Sequence, residues 1–309
     1  MTLHPNYIGC DISKHHLDFH DPSTRRSWRI DNSEVAIAAL AGTLDDSSVF
    51  IVMEATGGYD RLLRYGLAER RVRFCRVNPT MARRFAQARG RRAKTDALDA
   101  AMLAELGRLF QPAAEPDPCE TRDRLTALAR RRDQLVAMRA VEKTRLQEAG
   151  DADIAACIRD LIAHLTTKVT QAEAAIATLI KEDNRLKGEW RLLTSAPGIG
   201  PVAATTLLAL MPELGTASPK RIAALAGLAP YNHDSGMLKG KRCIAGGRRR
   251  VRKALYMAAL SAIRTCSRMN DFYKRIAERA AAKKIAVIAV ARKLLTCLNA
   301  MLRDRKSWA

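Results

Sequence analysis

The chain has 309 residues, 48% of them hydrophobic, and carries 53 basic against 32 acidic side chains, a net charge of +21. That length holds two domains, or one domain with a helical insertion, and enough apolar residues for a sizeable core. The seven cysteines are odd in number, scattered and without a CxxC pair, which argues against a disulfide framework or a zinc site and fits a reducing cytoplasm. No apolar run is read as approaching the roughly 18 residues of a membrane span, and Met1 to Asp11 has no basic-then-apolar leader pattern. The expectation is a cytoplasmic protein with no membrane partner.

In chain order, Tyr7–Ile12 reads as a short apolar strand carrying Asp11 near its end, with Leu17–His20 and Ser27–Ile30 as hairpin strands behind it. Asn32 or Ser33 caps a helix to about Leu44. Val49–Ala55 is a buried strand containing Glu54, followed by a helix over Tyr59–Arg70 and a strand over Val72–Val77 that stops at Asn78-Pro79. Strands alternating with helices after an initial meander predict a mixed sheet with helices on its faces. The string Lys94-Thr95-Asp96-Ala97-Leu98-Asp99 reads as a helix start. A proline-rich linker from Gln111 to Pro118 closes this region.

Two long helices follow, breaking near Gly150-Asp151. Leu125, Leu128, Leu135 and Met138 share a face of the first. Ile154, Ile158, Leu161, Leu165, Ala172, Ile176 and Leu179 repeat at three- and four-residue steps in the second. This is a helical hairpin, serving either as a spacer or as a coiled-coil surface for dimerisation. From Trp190 the chain is helical with glycine and proline breaks, at Val202–Met211, Pro219–Ala226, Arg248–Ser267 and Ala280–Leu302. Three regions result: 1–110, an α/β domain; 111–190, linker and helical hairpin; 191–309, an all-α basic domain.

Charge separates these regions. Residues 1–110 carry +4, 111–190 carry −1 and 191–309 carry +18. A domain so basic gathers phosphate backbone, because each neutralised phosphate releases counterions. A solvated basic surface or an acidic protein partner is the plainer alternative.

Asp11 and Glu54 sit at two strand ends, and Asp96 and Asp99, three apart, share a helix face. Four such carboxylates could hold two Mg²⁺ ions roughly 3.5–4 Å apart, bracketing the attacking and leaving oxygens of a phosphate. Taken singly, each acid is as well explained by a turn cap or a helix dipole. The cluster His15, His16, Asp18 and His20 also invites a metal reading, but strand spacing is expected to split it between faces.

In the basic third, Ser195-Ala196-Pro197-Gly198-Ile199-Gly200-Pro201 looks like a helix–hairpin–helix. Gly198 and Gly200 would there open a helix N-terminus toward a phosphate; an ordinary connector is the plain reading. Ser235 lies in Tyr231-Asn232-His233-Asp234-Ser235-Gly236, flanked by Lys239, Lys241, Arg242 and the run Gly246-Gly247-Arg248-Arg249-Arg250-Val251-Arg252-Lys253. Arg248 and Arg252, one helical turn apart, are expected to clamp one phosphate. Chemistry alone leaves Ser235 open between a turn serine and a nucleophile activated by those cations.

The strings GCDISKHHLDF, MEATGGY, VNPTMARRFA, KTDALDA, APGIGPVAATTLLA, LAGLAPYNHDSG and AGGRRRVRKALYMAAL occur in that order over nearly the whole chain. Together they resemble the DEDD-type transposases of bacterial insertion sequences, the one-ten family, whose relatives include pilin-gene invertases and bridge-RNA-guided recombinases. The resemblance implies an RNase-H/RuvC-like N-terminal domain with Asp11, Glu54, Asp96 and Asp99 as a Mg²⁺-binding quartet. It implies Ser235 as a nucleophile that leaves a covalent 5′-phosphoserine and a free 3′-hydroxyl. It further implies an element-encoded guide RNA pairing with donor and target double-stranded DNA. Homo-oligomers are implied too, a dimer and in the synaptic complex a tetramer, in which the acidic site of one subunit meets the serine of another. No nucleotide cofactor is expected, since a phosphoserine conserves the energy of the phosphodiester and no Gly-x-x-x-x-Gly-Lys loop is present. Two rivals remain: a Mg²⁺-dependent nuclease or junction resolvase that hydrolyses DNA, and an inactive nucleic-acid-binding relative.

Overall fold

The computed structural model describes residues 5–44, 48–55, 57–90, 96–232, 240 and 242–308, with no side-chain description for 96–98. The chain divides into two compact units, Met1–Cys119 and Glu120–Ala309.

The first unit contains, in order, β1 (Asn6–Ile12), β2 (His16–Asp21), β3 (Arg26–Asp31), α1 (Glu34–Thr43), β4 (Val49–Glu54), α2 (Arg61–Glu69), β5 (Arg73–Val77), α3 (Pro79–Ala88) and α4 (Asp96–Phe110). Its sheet runs β3-β2-β1-β4-β5. The first three strands form an antiparallel meander, while β4 lies parallel to β1 and β5 parallel to β4. A mixed sheet between helices is the architecture the alternating elements imply, and it is consistent with the RuvC-like expectation.

Strand alternation sorts the residues between two cores. Ile8, Cys10 and Ile12 of β1 join Leu17, Phe19, Ile51, Met53 and Phe74 in a cluster with Ile37 of α1 and Leu63 and Leu67 of α2. Tyr7, Phe50, Val52, Cys75 and Val77 face the other way, onto Met102, Leu103 and Leu106 of α4 and Ala82 of α3. Each such buried side chain contributes about 2 kcal/mol of hydrophobic stabilisation. Ser33 is the cap of α1, its hydroxyl accepting from the Ala36 amide. Asn78-Pro79, expected only to stop a strand, also starts α3. The Asn78 side chain accepts from the Thr80 amide at 2.8 Å, and proline occupies the first turn, where its missing N–H costs nothing.

One contact governs where the acids lie. A Cβ on Gly9 would collide with the Ala100 carbonyl and the Ala104 amide, so α4 rests backbone-to-backbone on β1. Farther along the helix, Gly107 packs in the same way on Val52 and Tyr7. Residues 100 and 104 therefore cross Gly9, and residue 107 crosses Tyr7. Helix and strand run in opposite directions, which lays the first turn of α4 over the end of β1 that carries Asp11.

The linker is tied to the sheet edge. The Glu115 amide donates to the Phe74 carbonyl, and Arg76 bridges Glu115 and the buried Asp60.

The second unit begins with α5 (Glu120–Glu148) and α6 (Ala152–Glu182), an antiparallel hairpin whose turn is capped by Asp151. Leu135, Leu165, Val169 and Ala172 seal its middle. The expected stripes do not stay covered to the tip: Met138, Ile154 and Leu161 are exposed. Then come α7 (Asn184–Ser195), α8 (Pro201–Leu210), α9 (Pro219–Leu225), β6 (Pro230–Tyr231), β7 (Cys243–Ile244), α10 (Arg249–Thr265), α11 (Ser267–Ala277) and α12 (Lys283–Asp304). The α12 helix corrects the expectation about apolar runs. By length and composition it passes the test for a membrane span, yet Val290, Leu294, Leu295 and Leu298 are wholly buried at the centre of the helical core.

Candidate active site

Backbone register gathers the acidic residues. Asp11 pairs with Asp18 across β1 and β2, and Asp18 pairs with Arg29 across β2 and β3. On the other side Cys10 pairs with Met53, so the next step sets Asp11 beside Glu54. Alternation points all four toward α4: their neighbours Cys10, Ile12, Leu17, Phe19, Met53, Trp28 and Ile30 pack into the opposite core. One row thus crosses four strands as Arg29, Asp18, Asp11, Glu54. The first turn of α4, which contains Asp96 and Asp99, lies over the Asp11 end of β1.

Asp11, Glu54 and Asp99 are each partly exposed. The Asp96 side chain lies outside the described residues. Among the described residues no group of three or more His, Cys, Asp or Glu side chains is closed enough to hold a metal ion. The donor set of Asp11 and Glu54 is nonetheless all carboxylate oxygen, which suits a hard divalent cation such as Mg²⁺ over a soft one. Cys10, between Gly9 and Asp11, offers no thiolate. Burial and then the charges of Asp11 and Asp18 push its thiol well up.

The histidine cluster divides differently from the expectation. His16, Asp18 and His20 alternate along β2 and so share a face, and only His15 falls outside the strand. Two of them are engaged elsewhere: Asp18 is held by Arg29, and the His20 Nδ1 lies 2.8 Å from the Ser27 hydroxyl, while the His16 Nδ1 lies 3.3 Å from Asp31 without a hydrogen bond.

In the second unit, Gly198 has φ +79, and a Cβ there would collide with the Ala258 carbonyl of α10. Its role in this geometry is close packing. Gly200 is exposed and is the N-cap of α8, with open space around it and no side-chain cap. Ser235, Lys239 and Lys241 lie outside the described residues. Ser235 falls in sequence between β6 and β7, whose pairing of Tyr231 with Cys243 holds the base of that segment. Behind the base, Gly227 and Gly247 meet backbone-to-backbone at positive φ. Arg242 is exposed just before β7.

The arginines expected to clamp a phosphate are engaged inside the fold. Arg248 makes two parallel bonds of 2.6 Å to the Glu213 carboxylate. Burial pushes the Glu213 carboxyl up, but the hydrogen bonds and charge of Arg248 outweigh it and hold the group below its ordinary value. Arg252 donates to the Gly246 carbonyl at 2.7 Å and reaches the Gly227 carbonyl at 3.5 Å, locking the glycine contact. Arg250 is bound to Asp133 at 2.7 Å and to the Ala129 carbonyl at 3.0 Å. The exposed cations of this run are Arg249 and Lys253, four apart on α10, with exposed Met257 one turn beyond. Spacing alone could not separate the two arginine sets; the apolar phase of α10, with Val251, Leu255 and Ala258 buried, does.

Comparison with known proteins gives this site its class. Residues 8–152 match a family model for the DEDD-type transposase of IS110 elements, and residues 190–274 match the Transposase IS116/IS110/IS902 family. The chain is 30% identical over 311 residues to the pilin gene-inverting protein of Moraxella lacunata, covering 97% of this chain and 96% of that one. The Moraxella bovis pilin gene-inverting protein matches at the same identity and coverage. An uncharacterised 42 kDa protein of insertion element IS900 from Mycobacterium paratuberculosis is 28% identical, again over 97% and 96% of the two chains. The chain belongs to the IS110-type transposases, DNA recombinases of insertion sequences. A DEDD-type domain points to dependence on a divalent metal, and the family to DNA binding.

Proposed function

We propose that this protein moves or inverts a DNA segment by cutting and rejoining strands through a covalent phosphoserine, in a RuvC-like acidic site completed by the serine-bearing segment of another subunit. The observation that carries the reading is the row that sets Asp11 beside Glu54 with the first turn of α4 above them. In this reading Asp11, Glu54, Asp96 and Asp99 hold Mg²⁺. When bound, the metal supplies positive charge against the oxygens of the reacting phosphate. The Ser235 hydroxyl loses its proton and its Oγ forms a bond to phosphorus. The bond from phosphorus to the 3′-oxygen breaks, and that oxygen takes up a proton as a free 3′-hydroxyl. Rejoining is the same exchange with a 3′-hydroxyl of another strand, so the phosphodiester is conserved and no nucleotide cofactor is consumed.

Arg249 and Lys253, with Arg242, Lys239, Lys241 and the α8 start at Gly200, address the nucleic-acid backbone. Backbone contacts of this kind do not read sequence, which accords with target choice by an element-encoded guide RNA paired to donor and target DNA. Charge supports this as well, since the excess lies in the last third of the chain. The working form would be a homo-oligomer, a dimer or a synaptic tetramer, in which one subunit's acids meet another's Ser235. In this reading residues 1–110 carry the acids, 111–190 form a spacer and 191–309 carry the serine.

The test is a denaturing gel for a protein–DNA adduct, using donor and target DNA, the element's RNA and Mg²⁺, with wild type, Ser235→Ala and Asp11→Asn. An adduct that needs Ser235 and Asp11 is the expected result. Cleavage without an adduct, indifferent to Ser235→Ala, would make the protein a hydrolytic RuvC-like nuclease. Binding with no cleavage at all would make it an inactive relative.

A further inference from the structure

The row across the sheet has a third acid, which the proposed metal-binding quartet leaves out. Asp18 lies directly across the β1–β2 ladder from Asp11, on the same face, and is 8% exposed. A buried carboxylate one strand away from a metal ligand would ordinarily join the metal or oppose its neighbour's charge. Both oxygens of Asp18 are instead taken by an arginine. The Arg29 Nε donates to Oδ1 at 2.8 Å and Nη2 donates to Oδ2 at 3.1 Å, a fork-to-fork pair. The pair is built by register, Asp18 opposite Arg29, just as Asp18 is opposite Asp11. The Arg29 side chain remains half-exposed at the margin of the row.

We infer that Arg29 and Asp18 act as positioning residues that set how tightly the acidic site holds its metal, Arg29 withholding Asp18 from the site and cancelling its charge. The inference rests on the metal reading of Asp11 and Glu54 given above. Its logic fixes the signs. Without Arg29, a free carboxylate appears beside Asp11 and the site gains both a ligand and a negative charge. Without the Asp18 charge, the Arg29 guanidinium, two strands from Asp11, has one carboxylate fewer to offset it, and the site is more positive toward the cation. Removing both returns the local charge to that of the native pair.

The experiment is calorimetric titration of Mn²⁺ into the full-length protein, comparing wild type with Arg29→Gln, Asp18→Asn, the double variant, Arg29→Lys and Asp11→Asn. Circular dichroism melts are taken alongside. Expected is Mn²⁺ binding that Asp11→Asn removes, tightened about tenfold in Arg29→Gln and weakened by a similar factor in Asp18→Asn. The double variant and Arg29→Lys, which keeps the cation should Arg29→Gln fail to fold, are expected to stay near wild type. Asp11-dependent binding that is the same in every folded pair variant, with only the melts lowered, overturns the role and leaves a purely structural ion pair. Absence of Asp11-dependent binding in wild type overturns the metal site itself, and this inference with it.

Discussion

In the N-terminal unit the important side chains are placed by strand register, whereas in the C-terminal unit the most conspicuous cations are taken up by the fold itself. Asp11 and Glu54 share a row because β1 and β4 are parallel neighbours, and nothing about their own side chains is needed to bring them together. Arg248, Arg250 and Arg252 have the spacing of a phosphate clamp but hold Glu213, Asp133 and two glycine carbonyls. The lesson is that a local charge excess locates a binding domain, while burial phase and partners decide which of its residues are left to bind.

The sharpest way to break this contrast is to remove the row. Asp11→Asn or Glu54→Gln should bring metal-dependent strand cleavage down to background, with circular dichroism unchanged. Residual cleavage near the wild-type rate in either variant would take that residue out of the site. Next in size is the helix contact that brings α4 over the row. Gly9→Ala places a methyl against the Ala100 carbonyl and should cost about 3 kcal/mol of stability, read by denaturant unfolding of the full chain. A fully stable Gly9→Ala protein would mean that α4 does not rest on β1 as described.

In the second unit, Arg248→Met leaves Glu213 without its fork-to-fork partner and should cost about 1.5 kcal/mol, with DNA affinity nearly unchanged once folded. Arg249→Ala and Lys253→Ala should do the reverse. Stability should hold, while each variant weakens DNA binding and lowers the salt dependence of log affinity by about one unit. If Arg248→Met weakens binding more than Arg249→Ala does, the division between structural and binding arginines is wrong. The smallest effect is on pH. The folded-state carboxyl of Glu213 lies below its ordinary value, so the stability it contributes is complete above the ordinary carboxylate range. That contribution is lost as pH falls below the range, through the lowered value. Arg248→Met should flatten this part of the stability profile, measured by melts from neutral pH downward.

Much of the fold is legible in the sequence because strand length, caps and apolar phase are local. Ser33 and Asp151 cap the helices they precede, and the continuous apolar run of β4 already marks it as a strand buried on both faces. Asn78-Pro79 misleads, since the same pair that ends a strand can open a helix. Of the site, Asp11 and Glu54 are readable as acids at strand ends. Asp18 and Arg29 are not, because their meaning depends on the cross-strand register of the β1–β2–β3 meander. The Arg248 partner, Glu213, is 35 residues away in a turn after α8, and no local pattern points to it. The tip of the α5–α6 hairpin shows the same limit: Ile154 and Leu161 keep the repeat but are exposed.

The most direct test of the acidic site as the working centre is metal-guided backbone cleavage of the protein. Fe²⁺ with ascorbate and peroxide generates radicals that cut the chain close to the bound ion. The account predicts cuts clustered around Asp11, Glu54 and the first turn of α4, suppressed by Mg²⁺ and lost in Asp11→Asn. Cuts that fall elsewhere, or that persist unchanged in Asp11→Asn, would contradict it.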